Sequence, residues 1–191
     1  MRILHLVTSI DKGGAETQVI NLAEIQSSVK SKVIIGYAKG KGYWKIKKKL
    51  NFINLRKSNS KFSLFFDVLN TVKVISKFKP NIIHVHLPYM ELCLFFSLFF
   101  LKKNFKIVCT KHLDNNLFDK LGRNNFFFGN FITKIVSLNY FKIIAISNAV
   151  KKFYINNRII TNSKKIKVVY YGVNLKKKMN RSKKNLKIEY K

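Results

Sequence analysis

Gly13, Gly14 and Glu16 stand where a short apolar run gives way to a helical pattern. Paired glycines let a backbone approach a ligand closely, and the free N–H groups of a helix start attract an anion. A plain strand-to-helix turn would use the same pair, so this stretch by itself leaves both readings open. Glu16, in the first helical turn, either complements the helix dipole or hydrogen-bonds a polar substrate. His84 and His86 lie two apart, hence on one face of a strand over residues 82–86, with His86 at its end. His84 reads as a satisfied core histidine, His86 as a polar site residue. His112 follows another such run; an imidazole that titrates near neutrality suits acid or base work, and equally suits a surface loop. These three histidines together could ligate a metal. No cysteine stands at ligand spacing and the chain has only eight carboxylates, so no metal is expected. Of those carboxylates, Asp11, Glu16, Glu91 and Asp114 fall near the same edge. Ser147 ends a further run, where it or Asn148 can cap the next helix.

The elements that must position these residues alternate in type. Strand-like runs cover residues 2–8, 33–37, 52–55, 82–86, 106–110, 142–146 and 166–170. Helical spacing covers 15–23, 64–75, 88–101, 126–138 and 148–155, and residues 43–50 could form a short basic helix. Pro80 closes one helix and Pro88 opens the next. The predicted class is α/β: a Rossmann-like parallel sheet of about six or seven strands, with helices on both faces. Ligands of such open sheets bind beyond the carboxyl ends of the strands, at the switch point beside the first strand. Gly13 and Gly14, His84 and His86, Thr110 and His112, and Ser147 all fall at strand ends, so the topology gathers most of them on one edge.

The 191 residues make one domain with a tail, and a hydrophobic content of 47% is enough for a sizeable core. The net charge of +30 would draw the chain to phosphates, anionic lipids or nucleic acid. Lys, Asn, Ile and Phe crowd the whole sequence, however, and that bias accounts for most of the lysines. No nucleic-acid-binding module is recognisable, and no nucleic-acid partner is expected. The turn DKGGAE lacks the GxGxxG dinucleotide fingerprint, YAKG offers no carboxylate to a ribose, and no P-loop motif is present. Cys93 and Cys109 read as small buried hydrophobes of a reducing compartment. Residues 2–8 are too short for a signal peptide, and LCLFFSLFFL (92–101) is too short to span a bilayer and reads as a buried helix.

The ordered set MRILHLVTSIDKGGAETQVINLA, PNIIHVHLPYMEL, KIVCTKH, KIIAISNAVKKFY and KIKVVYYGVNL resembles the N-terminal domain of family 4 glycosyltransferases of the GT-B fold, over residues 1–175. The resemblance implies a single GT-B half, and the transfer of a sugar from a nucleotide-sugar to a glycan or lipid-linked acceptor with retention at the anomeric carbon. It implies no cofactor, the nucleotide-sugar being a co-substrate. It makes Gly13 and Gly14 the glycine loop that approaches the donor phosphate, Glu16 the acidic end of that loop, His112 the site histidine and Ser147 the serine of the family's SxA stretch. Tyr171, Gly172, Val173 and Asn174 match the family's NGVD segment, with Tyr171 in place of Asn and Asn174 in place of Asp. Only sixteen residues follow Leu175, a basic stretch expected to be a disordered tail. They are too few for a donor-binding domain with its basic pair and paired glutamates. The expectation is half an enzyme — a gene fragment, a split enzyme or an acceptor-binding remnant — inactive without a second domain or chain. Two other readings stay open: a non-catalytic module for sugars or lipid headgroups, and a basic nucleic-acid-binding protein. Lipid-linked acceptors, the charge and the aromatic run Phe126, Phe127 and Phe128 together predict a cytoplasmic protein attached peripherally to an anionic membrane.

Overall fold

The computed structural model describes residues 1–40, 50–56, 62–113 and 126–172. Seven parallel strands form one sheet in the order β3-β2-β1-β4-β5-β6-β7. They are β1 (Arg2–Ser9), β2 (Lys32–Lys39), β3 (Asn51–Asn54), β4 (Ile82–His86), β5 (Lys106–Lys111), β6 (Lys142–Ala145) and β7 (Ile166–Val168). The described helices are α1 (Gly14–Ser28), α2 (Ser63–Phe78), α3 (Pro88–Ser97), α4 (Phe126–Leu138) and α5 (Asn148–Asn156). The expected basic helix at 43–50 lies, but for Leu50, outside the described residues. So do Asp114, Val173, Asn174, the tail and the side chains of Phe126, Phe127 and Phe128.

β1 reads as a nearly continuous apolar run because both of its faces are covered. Ile3 and Val7 join Val19, Ile20 and Ala23 of α1 and Val33 and Ile35 of β2 in one core. Leu4 and Leu6 point the other way, into a larger core with Ile83, Val85, Cys93, Leu94, Ile107 and Cys109. The chain steps from β1 outward to β2 and β3, then returns to place β4 on the other side of β1. The carboxyl ends of β1 and β4 therefore flank the switch point, where the connections part and leave a crevice.

Strand ends and helix starts move by a residue or two from the periodicity reading, and one difference is larger. The apolar run 92–101 is half-buried. Met90, Cys93 and Leu94 pack inward, while Phe96, Phe99 and Phe100 are exposed, Phe99 at 72%. With Leu64, Phe65 and Val68 of α2 they line an open apolar groove of about 360 Å³. A helix presents two faces, and the sheet covers only one. The helix also stops early: Ser97 Oγ bonds the Cys93 carbonyl at 2.7 Å and the chain tightens into a 3-10 turn over Leu98–Phe100. No described helix is long and apolar enough to cross a membrane.

Candidate functional site at the carboxyl edge of the sheet

β1 delivers the chain to Gly13, whose extended backbone caps α1. Thr17 returns both its N–H and its hydroxyl to the Gly13 carbonyl, at 3.0 and 2.6 Å. Glu16 folds back over the turn and accepts a 2.7 Å hydrogen bond from the Ser9 hydroxyl. A Cβ on Gly13 would collide with a Glu16 carboxylate oxygen, so only glycine leaves Glu16 where it is. A Cβ on Gly14 would meet nothing within 4 Å. The start of α1 is thus open at Gly14, where an anion could reach the first free amides, while the Glu16 carboxylate covers the turn at Gly13.

Next to it, β4 ends at His86 and turns into α3 through Leu87 and Pro88. Leu87 has a φ of +68°, a left-handed value that costs a branched residue of order 1–3 kcal/mol and is held only by its surroundings. Leu87, Pro88, Thr110, His112 and Leu113 line a small hollow at this edge.

His112 follows β5 directly and is partly buried. Its Nε2 lies 3.3 Å from His86 Nδ1, and its Nδ1 lies 2.6 Å from the Tyr171 hydroxyl. Burial pushes the His112 imidazole down to about 4, opposed by the nearby Glu91 carboxylate and assisted by Lys111. Burial likewise raises the Tyr171 phenol. At neutral pH this pair is uncharged, and it can accept from or donate to a ligand hydroxyl without the cost of burying a charge.

Behind His112 lie the other histidines. His86 is 2% exposed and His5 fully buried, and His5 is the register partner of His84. His84 Nε2 lies 2.7 Å from Thr110 Oγ1, and its ring centroid is 4.1 Å from that of His86. Burial drives His5 down to about 4, and drives His84 and His86 well below the usual imidazole range, with their mutual proximity adding to the effect. The nitrogens of His5, His84 and His86 come within 4.8 Å of one another, close enough to share a metal ion.

Beneath the hollow sits a charged pair. Lys111 Nζ donates to Glu91 Oε2 at 2.5 Å, both side chains being nearly inaccessible. Tyr140 donates to the same oxygen at 2.8 Å, and the Lys111 ammonium lies 5.1 Å from the Tyr154 ring centroid. Burial alone would lower the Lys111 ammonium, but Cys109, Glu91 and Tyr154 outweigh it and hold the charged form above the usual range. Glu91 is therefore committed to the interior, as the support of β5 and α3 under the site.

The topology brings Gly13, Gly14, Glu16, His86, His112 and Ser147 to the same edge of the sheet. Their exposures differ. Gly14 and His112 are accessible, and Ser147 accepts the Val150 amide at 3.2 Å as the cap of α5. His86 can reach a ligand only through His112. Three residues that lead to this edge escaped the sequence reading. His5 broke the apolar alternation of β1 between Ile3 and Val7. Gln26 falls seven residues after Val19, on the core face of α1, and its Oε1 lies 2.7 Å from His5 Nε2. Tyr171, which read as a departure from an Asn, is the partner of His112.

Comparison with known proteins bears on this geometry. The profile of Glycosyltransferase Family 4 matches residues 12–177. No curated protein matches the sequence. Among solved structures, a glycosyltransferase from Rickettsia africae superposes with a TM-score of 0.69 at 22% identity, over 92% of this chain and 44% of that one. Anabaena Alr3699/HepE, in complex with UDP and glucose, superposes at 0.71 and 15% identity, over 92% and 46%. The sucrose-phosphate synthase of Thermosynechococcus elongatus superposes at 0.67 and 14%, over 92% and 49%. At these identities the likeness is one of fold, and this chain spans less than half the length of each of the three.

Proposed function

The chain belongs to glycosyltransferase family 4, and from that premise we propose that it is the acceptor-side half of a retaining glycosyltransferase. Residues 1–175 form the acceptor-side domain. The reaction moves a sugar from a nucleotide-sugar to a glycan or lipid-linked acceptor, and the donor-binding half is supplied by a further domain or chain. The observation that carries this reading is the pairing at one sheet edge of a helix start open at Gly14 with a neutral His112–Tyr171 couple. The first suits a phosphate, and the second suits a sugar hydroxyl. Ser147 and Glu16 supply further polar groups along the same edge.

In this reading the chain alone holds one wall of a cleft. Positioning both substrates supplies much of the rate enhancement, and neutralising the leaving diphosphate supplies much of the rest. Titration of the purified chain with UDP- and GDP-sugars should give weak binding that falls as salt is added. Tight, salt-insensitive binding would show that the donor site lies within these residues. The non-catalytic alternative, a sugar-binding remnant, predicts that no neighbouring reading frame encodes a Rossmann-like domain with paired glutamates.

Peripheral attachment to the inner face of a membrane is part of the proposal. It is supported by the +30 charge and by the apolar groove that Phe65, Phe96, Phe99 and Phe100 line on α2 and α3. The chain should sediment with anionic vesicles and remain free of neutral ones. Failure to bind either at low salt would remove the membrane from the account.

A further inference from the structure

The chain has four histidines, and the fold brings all of them to one side of the sheet, at β1, at β4 and just beyond β5. Three of them join end to end. Gln26 Oε1 faces His5 Nε2 at 2.7 Å, and His5 Nδ1 faces His86 Nε2 at 3.2 Å. His86 Nδ1 faces His112 Nε2 at 3.3 Å, and the Tyr171 hydroxyl lies beside the His112 ring, 2.6 Å from Nδ1 and 3.4 Å from Nε2. The column starts on the buried side of α1 and ends at the ligand edge.

A neutral imidazole has one N–H and one bare nitrogen, so the partner of one nitrogen dictates the role of the other. The Gln26 oxygen can only accept. His5 must therefore donate from Nε2, which leaves its Nδ1 bare. His86 must donate from Nε2 to that nitrogen, and His112 must donate from Nε2 to His86. His112 Nδ1 is then bare and accepts the Tyr171 proton, and the Tyr171 oxygen keeps its lone pairs for the crevice. Each facing pair of nitrogens holds one proton, and the column has one consistent polarity.

We propose that this column is a positioning device, in which the Gln26 amide sets the tautomer of His112 through His5 and His86 and so presents the Tyr171 oxygen as an acceptor for a substrate hydroxyl. The assignment rests on His112 belonging to the substrate site. The ligand class it fits is a polyol, such as the sugar or cyclitol hydroxyl of an acceptor. His5, His86 and Gln26 never touch that ligand; they act through His112. Turning the Gln26 amide over would put an N–H against His5 and reverse every proton, making Tyr171 the donor to the ligand. The orientation of one half-buried amide thus decides which hydrogen-bonding face the site shows.

Three buried imidazoles within reach of one ion are also the makings of a metal site. The column is favoured because it accounts for both ring nitrogens of His5, His86 and His112, and closes on an amide at one end and a phenol at the other. A metal would require bare nitrogens on both His5 and His86 where they face each other.

The test is a long-range nitrogen–proton spectrum of the full chain, isotopically labelled in histidine, at neutral pH and without sugar. His5, His86 and His112 should each show the single Nε2–H pattern. Gln26→Glu, which keeps an acceptor facing His5, should preserve that pattern. Gln26→Leu should cost His112 its single-tautomer pattern, although the substitution lies beyond two intervening rings. Tyr171→Phe, at the other end, should leave the tautomers unchanged. Loss of the His112 pattern in Tyr171→Phe but not in Gln26→Leu would overturn the proposal, and so would Nδ1–H patterns in the unsubstituted chain. If Gln26→Leu does not fold, Gln26→Glu and Tyr171→Phe decide alone. Stoichiometric Zn²⁺ that shifts His5, His84 and His86 together would replace the column with a metal site. Because no sugar is present, this spectrum stands or falls apart from any transfer assay, which tests the glycosyltransferase reading.

Discussion

Lowering the pH should unfold this protein early, because its histidines must be neutral to stay where they are. His5 and His112 each fall from the ordinary 6.5 to about 4 in the folded chain. The unfolded chain binds these protons below 6.5, whereas the folded chain resists them until about 4. Stability is thus intact above pH 6.5 and is lost as the pH falls toward 4. The full loss is about 3 kcal/mol for each of the two, since every tenfold weakening of proton affinity is worth roughly 1.4 kcal/mol. Burial and their mutual proximity also lower His84 and His86 well below the ordinary range, so they add to the loss in the same direction. Near pH 5 almost one proton separates the two states at each of His5 and His112, a slope on the order of 2 kcal/mol per pH unit for these two alone, to which His84 and His86 add. A domain of ordinary stability, about 5–15 kcal/mol, cannot carry that slope far. Urea unfolding followed by far-ultraviolet circular dichroism from pH 7.5 to 4.5 reads the effect directly. An uptake of about two protons or more near pH 5 is expected. An uptake of one or fewer would refute the buried, neutral state of the cluster.

Other expectations follow from the same contacts. Glu91→Ala should cost about 3–5 kcal/mol in thermal or urea unfolding, because it strands the buried Lys111 ammonium; a loss under about 1 kcal/mol would mean that water reaches the pair. Gly13→Ala should displace Glu16 and weaken any phosphate or sugar binding at this turn. Gly14→Ala should fold normally and affect binding only by obstructing the open helix start, which paired melting curves and ligand titrations would separate. The Cys93 thiol is pushed up to about 12, chiefly by burial, and burial also raises Cys109 well above the ordinary thiol range, so both should resist thiol reagents at pH 8 in the folded chain and react fully in urea.

The fold was legible because each strand and helix announces itself locally. Ile82 to Val85 and Lys106 to Cys109 carry β-branched runs between breakers, and Val68, Thr71 and Ile75 fall on the buried side of one helix. The edge that gathers Gly13, His86, His112 and Ser147 followed from the expectation of a parallel sheet, whose strands all end on one side. What stayed hidden depends on partners distant in sequence. His5 meets His86 across 81 residues, and Tyr171 meets His112 across 59. Nothing in the sequence sets Lys111 apart from the other lysines of this chain, although Glu91 holds it inside. The run 92–101 read as buried because composition does not say which of its Phe side chains the sheet leaves uncovered.

Sugar transfer by the reconstituted pair tests the central claim most directly. The chain is combined with a donor-binding Rossmann-like half, a labelled nucleotide-sugar and a lipid-linked acceptor, and label on the acceptor is counted. Transfer should require both halves and should be lost with His112→Ala in this chain. Transfer by this chain alone, or transfer by the pair that His112→Ala leaves untouched, would contradict the account.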